Sequence, residues 1–176
     1  MQGLIEAINQ SHSKDIIDIV AIFSPLVLSV VAIVISIYTV QKQNKISLFE
    51  MRYKAFATLK SIVLFASTVK NVDSNEQILL VFDSFFGTYI SNNNGNDLVA
   101  GLNSKIEMIK HDTLTSVFLF SKKYQKPIET FVYDFQLFMI NVINNYLDEK
   151  SKNDFCEKCS LFTQNELDEI SKELRI

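Results

Sequence analysis

Two cysteines three positions apart are the first residues of this chain whose spacing suggests chemistry. Cys156 and Cys159 have the spacing of half a structural zinc site, but a complete site needs four ligands and the chain has no second cysteine pair. His111 is the one histidine on their side of the long apolar run described below. A zinc site shared by two copies stays an alternative, whereas a thioredoxin-type redox site needs a strand–helix context that this sequence lacks. We therefore interpret both cysteines as ordinary thiols.

No other pattern indicates catalysis. A serine or cysteine nucleophile needs a nearby general base, and no recognisable motif flanks His111. Gly87, Gly95 and Gly101 do not match the glycine patterns of phosphate-binding loops. The sequence thus predicts a protein that is not an enzyme, with no catalytic, metal-binding or cofactor-binding residues and no cofactor. A cryptic enzyme or metal protein that uses the two thiols and His111 is the less favoured hypothesis.

The longest apolar run of the chain covers residues 19–40 and contains no charge. Because an α-helix rises about 1.5 Å per residue, roughly 20 such residues cross a hydrocarbon core about 30 Å thick. A cleaved signal peptide fits less well, since the leader is mostly acidic and no small-x-small site follows the run. We predict a transmembrane helix over residues 16–41; the buried core helix of a soluble protein is the alternative.

The charges on either side of this run predict its orientation. Lys14 is the one basic residue before the run, and the positively charged flank of a span stays in the cytoplasm. The basic residues that follow the run most closely are Lys42, Lys45, Arg52 and Lys54. We therefore expect a single-pass protein of the inner (plasma) membrane, with an extracytoplasmic tail at residues 1–15 and a cytoplasmic domain at 42–176. The same basic cluster can attract anionic lipid headgroups.

Small and polar residues recur along the apolar run at helical spacing. The set comprises Asp18, Ala21, Pro25, Ser29, Ala32, Ser36, Thr39 and Gln43. Steps of three and four residues place them on one helix face, and helices in lipid associate through small residues and hydroxyls. This face predicts packing against another span, from a second copy or from a partner membrane protein. The alternative is that the small residues are merely tolerated. Pro25 is also expected to kink the outer half of the helix.

The remainder of the chain favours a helical domain. Glycine (4) and proline (2) are too scarce for a turn-rich sheet, and the net charge of −3 argues against a nucleic-acid partner. Helical spacing continues without a breaker over residues 41–70, with Asp73 or Ser74 expected to cap the next helix. The predicted fold is all-α, with one N-terminal transmembrane helix that continues into a cytoplasmic helical bundle.

Finer boundaries follow from turn and capping signals. We expect helices at 76–90 and 98–111, separated by a loop at 91–97 in which Asp97 caps the second helix. A break is expected near 112–113. Pro127 is predicted in the first turn of a helix that ends near residue 147. Thr163 to Glu166 reads as a capping box that opens a last helix.

Two stretches carry a resemblance. Residues 43–53, with Ile46 to Tyr53 at the centre, and the later Phe118-Leu-Phe-Ser-Lys-Lys-Tyr124 together resemble a loose group of small bacterial single-span membrane proteins of uncharacterised function. The resemblance covers residues 20–147. It implies an anchor that runs directly into a helical domain, and a place near antiphage defence genes.

Three hypotheses follow. The first is a non-enzymatic membrane effector or accessory protein of bacterial antiphage defence, which contacts the lipid bilayer and acts by oligomerisation there. The second is a membrane tether or scaffold that docks a cytoplasmic partner protein. The third is the cryptic enzyme or metal protein described above.

Overall fold

The computed structural model describes residues 2–87 and 95–174, and side chains from Ala21 onward except Ile22 and residues 95–98. Every element in these described ranges is helical. The α-helices are α1 (Gln2–Val69), α2 (Asn75–Phe86), α3 (Gly95–Leu114), α4 (Lys122–Ile143), α5 (Glu149–Phe162) and α6 (Asp168–Glu173). A 3₁₀ turn at Val117–Leu119 precedes α4, and a π-helical turn at Thr163–Leu167 joins α5 to α6. The all-α class is therefore confirmed.

Helix α1 contributes to both compact units of the chain, which are Met1–Ser47 and Leu48–Ile176. The predicted uninterrupted helix after the apolar run is confirmed, because α1 continues to Val69. Its backbone is already helical at Gln2, so the described part of the predicted 1–15 tail is helical as well. Pro25 lies inside this helix.

The core of the second unit is built around one face of α1. Leu59, Ile62, Ala66 and Val69, at steps of three and four residues, are all buried there. Phe65 is fully buried and meets the rings of Phe82 and Phe135 edge-on at 6.0 Å. The chain has no tryptophan and 14 phenylalanines, and phenylalanine supplies the large buried side chains of this core as expected.

Helix α2 begins as predicted. Ser74 is extended and its side chain accepts a hydrogen bond from the Gln77 backbone N–H, so Ser74 is the N-cap. The helix ends at Phe86 and is capped by Gly87, whose left-handed φ of 64° suits glycine. The predicted continuation to residue 90 and most of the predicted loop lie in residues 88–94, outside the described residues.

Helix α3 is longer at both ends than predicted. It begins at Gly95, so residues 95–97 are helix rather than loop and Asp97 is not its N-cap. It also passes through the expected break at 112–113. Thr113 is buried and its hydroxyl donates to the Ile109 carbonyl at 2.8 Å, which satisfies this polar group inside the helix.

The predicted start of α4 at Pro127 is wrong. The helix begins at Lys122, so Pro127 lies in its interior, where it lacks the N–H that would bond the carbonyl of Lys123. The helix also ends at Ile143, before the expected residue 147. Packing of the apolar face of α4 against the core outweighs the loss of this one backbone hydrogen bond.

The predicted capping box at Thr163–Glu166 is also wrong. Thr163 has helical dihedral angles, and its hydroxyl donates backwards to the Cys159 carbonyl at 2.8 Å. An N-cap does occur earlier, at Asp148, whose side chain accepts a hydrogen bond from the Ser151 backbone N–H at 2.7 Å. It begins helix α5, which the sequence analysis did not predict. Both cysteines therefore lie on a helix that the sequence patterns did not reveal.

Candidate membrane helix and exposed surfaces

The apolar run of α1 lies uncovered within its unit. Leu28, Val31 and Ile35 are 65%, 48% and 59% exposed. An 18-residue stretch of this helix has a mean hydropathy of 2.3, and none of it is buried. Within the described residues, this is the one helix long and apolar enough to cross a membrane. This exposure fits a membrane span better than it fits the core helix of a soluble protein, which would be mostly buried.

The small-residue face predicted within this run is exposed where its side chains are described. Ser29 and Ser36 form no hydrogen bond to another described residue, so their hydroxyls are available to a neighbouring helix. The Thr39 hydroxyl instead donates to the Ile35 carbonyl at 2.8 Å and is satisfied within its own helix. Ala21, Ala32 and the ring of Pro25 share this exposure. The side chain of Asp18 lies outside the described residues.

The structure divides the basic cluster after the apolar run. Lys42 and Lys45 are exposed, and no ion pair of either is found among the described residues. Arg52 is half-buried, and its buried Nε has no hydrogen-bond partner within the described residues. Lys54 Nζ binds Asp112 Oδ2 at 2.7 Å. Two of the four cations are thus open to a charged partner or lipid surface.

The two cysteines are free thiols on α5 with restricted reactivity. Cys159 is 2% exposed, and burial raises its pKa well above the ordinary value. Burial also raises the pKa of the half-buried Cys156, whose Sγ lies 3.5 Å from the Ala66 carbonyl oxygen. The thiolate is the nucleophile and the metal ligand, so a raised pKa disfavours both roles. His111, on the last turn of α3, is exposed. No group of three metal-binding side chains occurs in the described part of the chain.

A surface groove between α4 and α5 was not predicted from the sequence. It consists of two clefts of about 480 and 470 Å³ that share Asp134 and Lys158. Lys158 Nζ bridges these helices, 3.2 Å from Asp134 Oδ1. Leu137 and Leu161, one in each cleft, are 59% and 49% exposed. We call this feature the α4–α5 groove.

The sequence did contain a weak signal for this groove. Apolar residues at 155, 159 and 162, after a possible cap at Asp148, have the spacing of a helix. The segment between them is polar enough that the pattern does not stand out. Because α5 was missed, the groove that it forms with α4 was missed too.

The chain was also compared with known proteins. No protein-family model, no curated protein and no solved structure matches it.

Proposed function

We propose that this protein is a non-enzymatic, membrane-anchored helical protein that self-assembles in the bacterial inner membrane as an effector or accessory of antiphage defence. In this proposal, residues 16–41 span the membrane with the N-terminus outside, and residues 42–176 form the cytoplasmic domain. The defence role rests on the resemblance of residues 20–147 to small single-span proteins found near defence genes.

The observation that carries the proposal is the uncovered apolar surface of α1. Leu28 and Ile35 are each more than half exposed. Each Å² of apolar surface that stays in water forgoes about 25 cal/mol of favourable burial free energy. Summed over a whole helical run, this cost is large compared with the stability of a domain. A lipid bilayer removes it without requiring any further protein.

Self-assembly is supported by the small-residue face. The small side chains of Ala21 and Ala32 allow close approach of a second helix, and the exposed hydroxyls of Ser29 and Ser36 can form hydrogen bonds across the contact. The proposal gives the two thiols no chemical role, because burial raises the pKa of Cys156 and Cys159. A thiol with a raised pKa is protonated at neutral pH, so both cysteines are poorly suited to act as a nucleophile or a metal ligand.

The first experiment compares inducible expression of the full chain with that of a chain lacking residues 1–40, while membrane potential and growth are followed. We expect depolarisation and growth arrest with the full chain alone. Ser29→Ile together with Ser36→Ile should abolish the effect, because the larger side chains block close helix approach. Val30→Ile with Val34→Ile is the matched control, since it adds bulk in the same stretch of helix away from this face. Depolarisation that survives the serine substitutions would contradict assembly through this face.

A second candidate function is a membrane tether that docks a cytoplasmic protein. The α4–α5 groove favours it, because exposed Leu137 and Leu161 flank the ion pair of Asp134 and Lys158. Such a tether would leave membrane potential unchanged when overexpressed. The substitution Leu137→Glu should abolish binding of the cytoplasmic partner by such a tether. The same substitution should leave an effector function unchanged.

A further inference from the structure

The α4–α5 groove is built from one residue pattern used twice. On each of its two helices, phenylalanines seven residues apart enclose a charged residue and, next to the second ring, an exposed leucine. The pattern comprises Phe131, Asp134, Leu137 and Phe138 on α4, and Phe155, Lys158, Leu161 and Phe162 on α5. Residues seven apart lie about two turns apart on one helix face. The whole groove lies within the second unit.

Ring contacts show how the two patterns face each other. Phe138 stacks on Phe155 with the ring centroids 4.1 Å apart, and Phe131 stacks on Phe162 at 4.0 Å. The residue numbers increase along α4 where they decrease along α5, so the two helices are antiparallel. An approximate two-fold axis therefore passes through the central ion pair of the groove and exchanges its two clefts.

Each half of the groove has an apolar floor and an exposed leucine beside it. The stacked rings of Phe138 and Phe155 line the cleft of about 480 Å³, whose rim contains Leu137. We call it the Phe138 cleft. The cleft of about 470 Å³ at the other end has the rings of the second stacked pair and Leu161, and we call it the Phe131 cleft. Each half therefore offers an apolar side chain and an apolar space of its own.

The ion pair between the two clefts is open to a partner. The side chains of Asp134 and Lys158 are 26% and 46% exposed. A partner that covers the groove must therefore meet a negative charge on α4 and a positive charge on α5. A partner that carries the same two charges in exchanged positions is complementary to both.

We propose that the occupant of the α4–α5 groove is the same groove of a second copy, related by a two-fold axis parallel to the two helices. This axis places α4 of each copy over α5 of the other and makes the interface isologous. Asp134 of each copy then faces Lys158 of the other. A two-fold axis across the helices would instead place Asp134 over Asp134, and the repulsion between like charges disfavours it.

The same axis fills both clefts. It brings each cleft opposite the equivalent cleft of the second copy, so that Leu137 enters the Phe138 cleft of the other chain and Leu161 enters its Phe131 cleft. Each helix of the resulting four-helix bundle is antiparallel to its neighbours, as in the common up-and-down bundles. Leucines that are exposed in one copy are thus buried in the pair, which is the favourable term of the association.

The inference rests on the proposed self-assembly and adds a second contact to it. The small-residue face of the span joins copies within the membrane, and the groove joins their second units. The effect on membrane potential is assigned to the span face alone, so Leu137→Glu weakens the groove contact without removing that effect. The cytoplasmic partner of a tether would compete for the same groove.

The test is disulfide cross-linking between full chains in isolated membranes. Two differently tagged versions are co-expressed, both with Cys156→Ser and Cys159→Ser, so that the introduced cysteines are the only thiols. An added oxidant forms the disulfide, and the two tags identify links between different chains. Extraction of the membranes checks that both versions are inserted.

Four pairings of single substitutions distinguish the possible arrangements. Leu137→Cys with Asp154→Cys should cross-link across the Phe138 cleft, and Leu161→Cys with Thr130→Cys across the Phe131 cleft. The exchanged pairings, Leu137→Cys with Thr130→Cys and Leu161→Cys with Asp154→Cys, are the matched controls and should not cross-link. They use the same four positions, but their members lie about two turns apart along the bundle, which is roughly 10 Å.

A leucine substitution measures how much the apolar contact contributes. Leu137→Glu should lower the yield of the link between Leu161→Cys and Thr130→Cys by about tenfold, because it places a carboxylate in an apolar cleft. Leu80→Glu on α2 is the control, since Leu80 is as exposed as Leu137 but lies on another helix. It should leave the yield unchanged.

The remaining outcomes overturn the proposal in distinct ways. Links in the exchanged pairings alone would overturn the parallel axis. If no groove pairing links while Ser29→Cys chains link to each other in the span, the second copy is overturned as the occupant and self-assembly stands. The groove is then left to the partner protein of a tether. If inserted chains link neither in the groove nor in the span, both the groove contact and self-assembly are overturned.

Discussion

At the residue scale, the thiols of α5 illustrate how burial controls chemistry. Burial raises the pKa of Cys156 and Cys159 above the ordinary value of 9.0. The folded protein therefore keeps both thiol protons to higher pH than the unfolded chain does. Their contribution to the free energy of unfolding is fully present below about pH 9 and is lost as the pH rises through the raised values.

The raised pKa values of the two thiols predict how fast they react. At pH 8, alkylation by iodoacetamide should be slow for both cysteines in the folded protein and fast in urea, with Cys159 the slower because it is 2% exposed. The native rate should increase only above pH 9. Mass spectrometry of Cys156→Ser and Cys159→Ser measures each thiol separately. Equal native and unfolded rates for Cys159 at pH 8 would show that it is not buried.

At the element scale, the N-caps of α2 and α4 provide a matched pair of serines. The Ser74 side chain accepts a hydrogen bond from the Gln77 N–H, whereas Ser121, the N-cap of α4, makes no side-chain cap bond. Ser74→Ala should therefore lower the free energy of unfolding by about 1 kcal/mol, and Ser121→Ala should change it far less.

Circular dichroism at 222 nm during heating of the full chain in detergent measures this difference. The chain has no tryptophan for a fluorescence assay, so the helical signal is the suitable probe. About 1 kcal/mol corresponds to a shift of roughly 2–4 °C in Tm for a protein of this size. A larger shift for Ser121→Ala than for Ser74→Ala would contradict the capping geometry.

At the scale of the whole molecule, the prediction concerns orientation. The basic residues after the apolar run, Lys42 and Lys45 foremost, should hold residues 42–176 in the cytoplasm. A protease added to inverted inner-membrane vesicles should digest this domain, whereas the same protease added outside intact spheroplasts should leave it whole. An epitope tag at the N-terminus should show the opposite pattern. Digestion of the domain from outside the spheroplasts would contradict the proposed topology.

Local patterns predicted several features that depend on residues close together in the chain. The apolar run at 19–40 predicted a helix, and the helical spacing at 41–70 predicted its continuation, which extends to Val69. Ser74 was identified as a cap because capping requires only a short side chain and a backbone N–H three residues later. The same logic failed at Thr163, where a capping pattern occurs inside a continuous helix.

Helix α5 could not be predicted from local patterns, because it is stabilised by contacts with residues distant in sequence. Its own sequence is polar, but Phe155 stacks on Phe138 at 4.1 Å and Phe162 stacks on Phe131 at 4.0 Å. Most of the stability of a short helix comes from such packing rather than from intrinsic propensity. Those contacts bury Cys159 and create the α4–α5 groove.

The sequence by itself determined the helical class and the apolar run that can cross a membrane, since hydropathy and helical period are properties of neighbouring residues. Only the tertiary structure decided which polar groups are engaged and which are free. Lys54 binds Asp112, 58 residues away in the chain. Pairings over such distances are chosen by packing in three dimensions, for which no short sequence pattern exists.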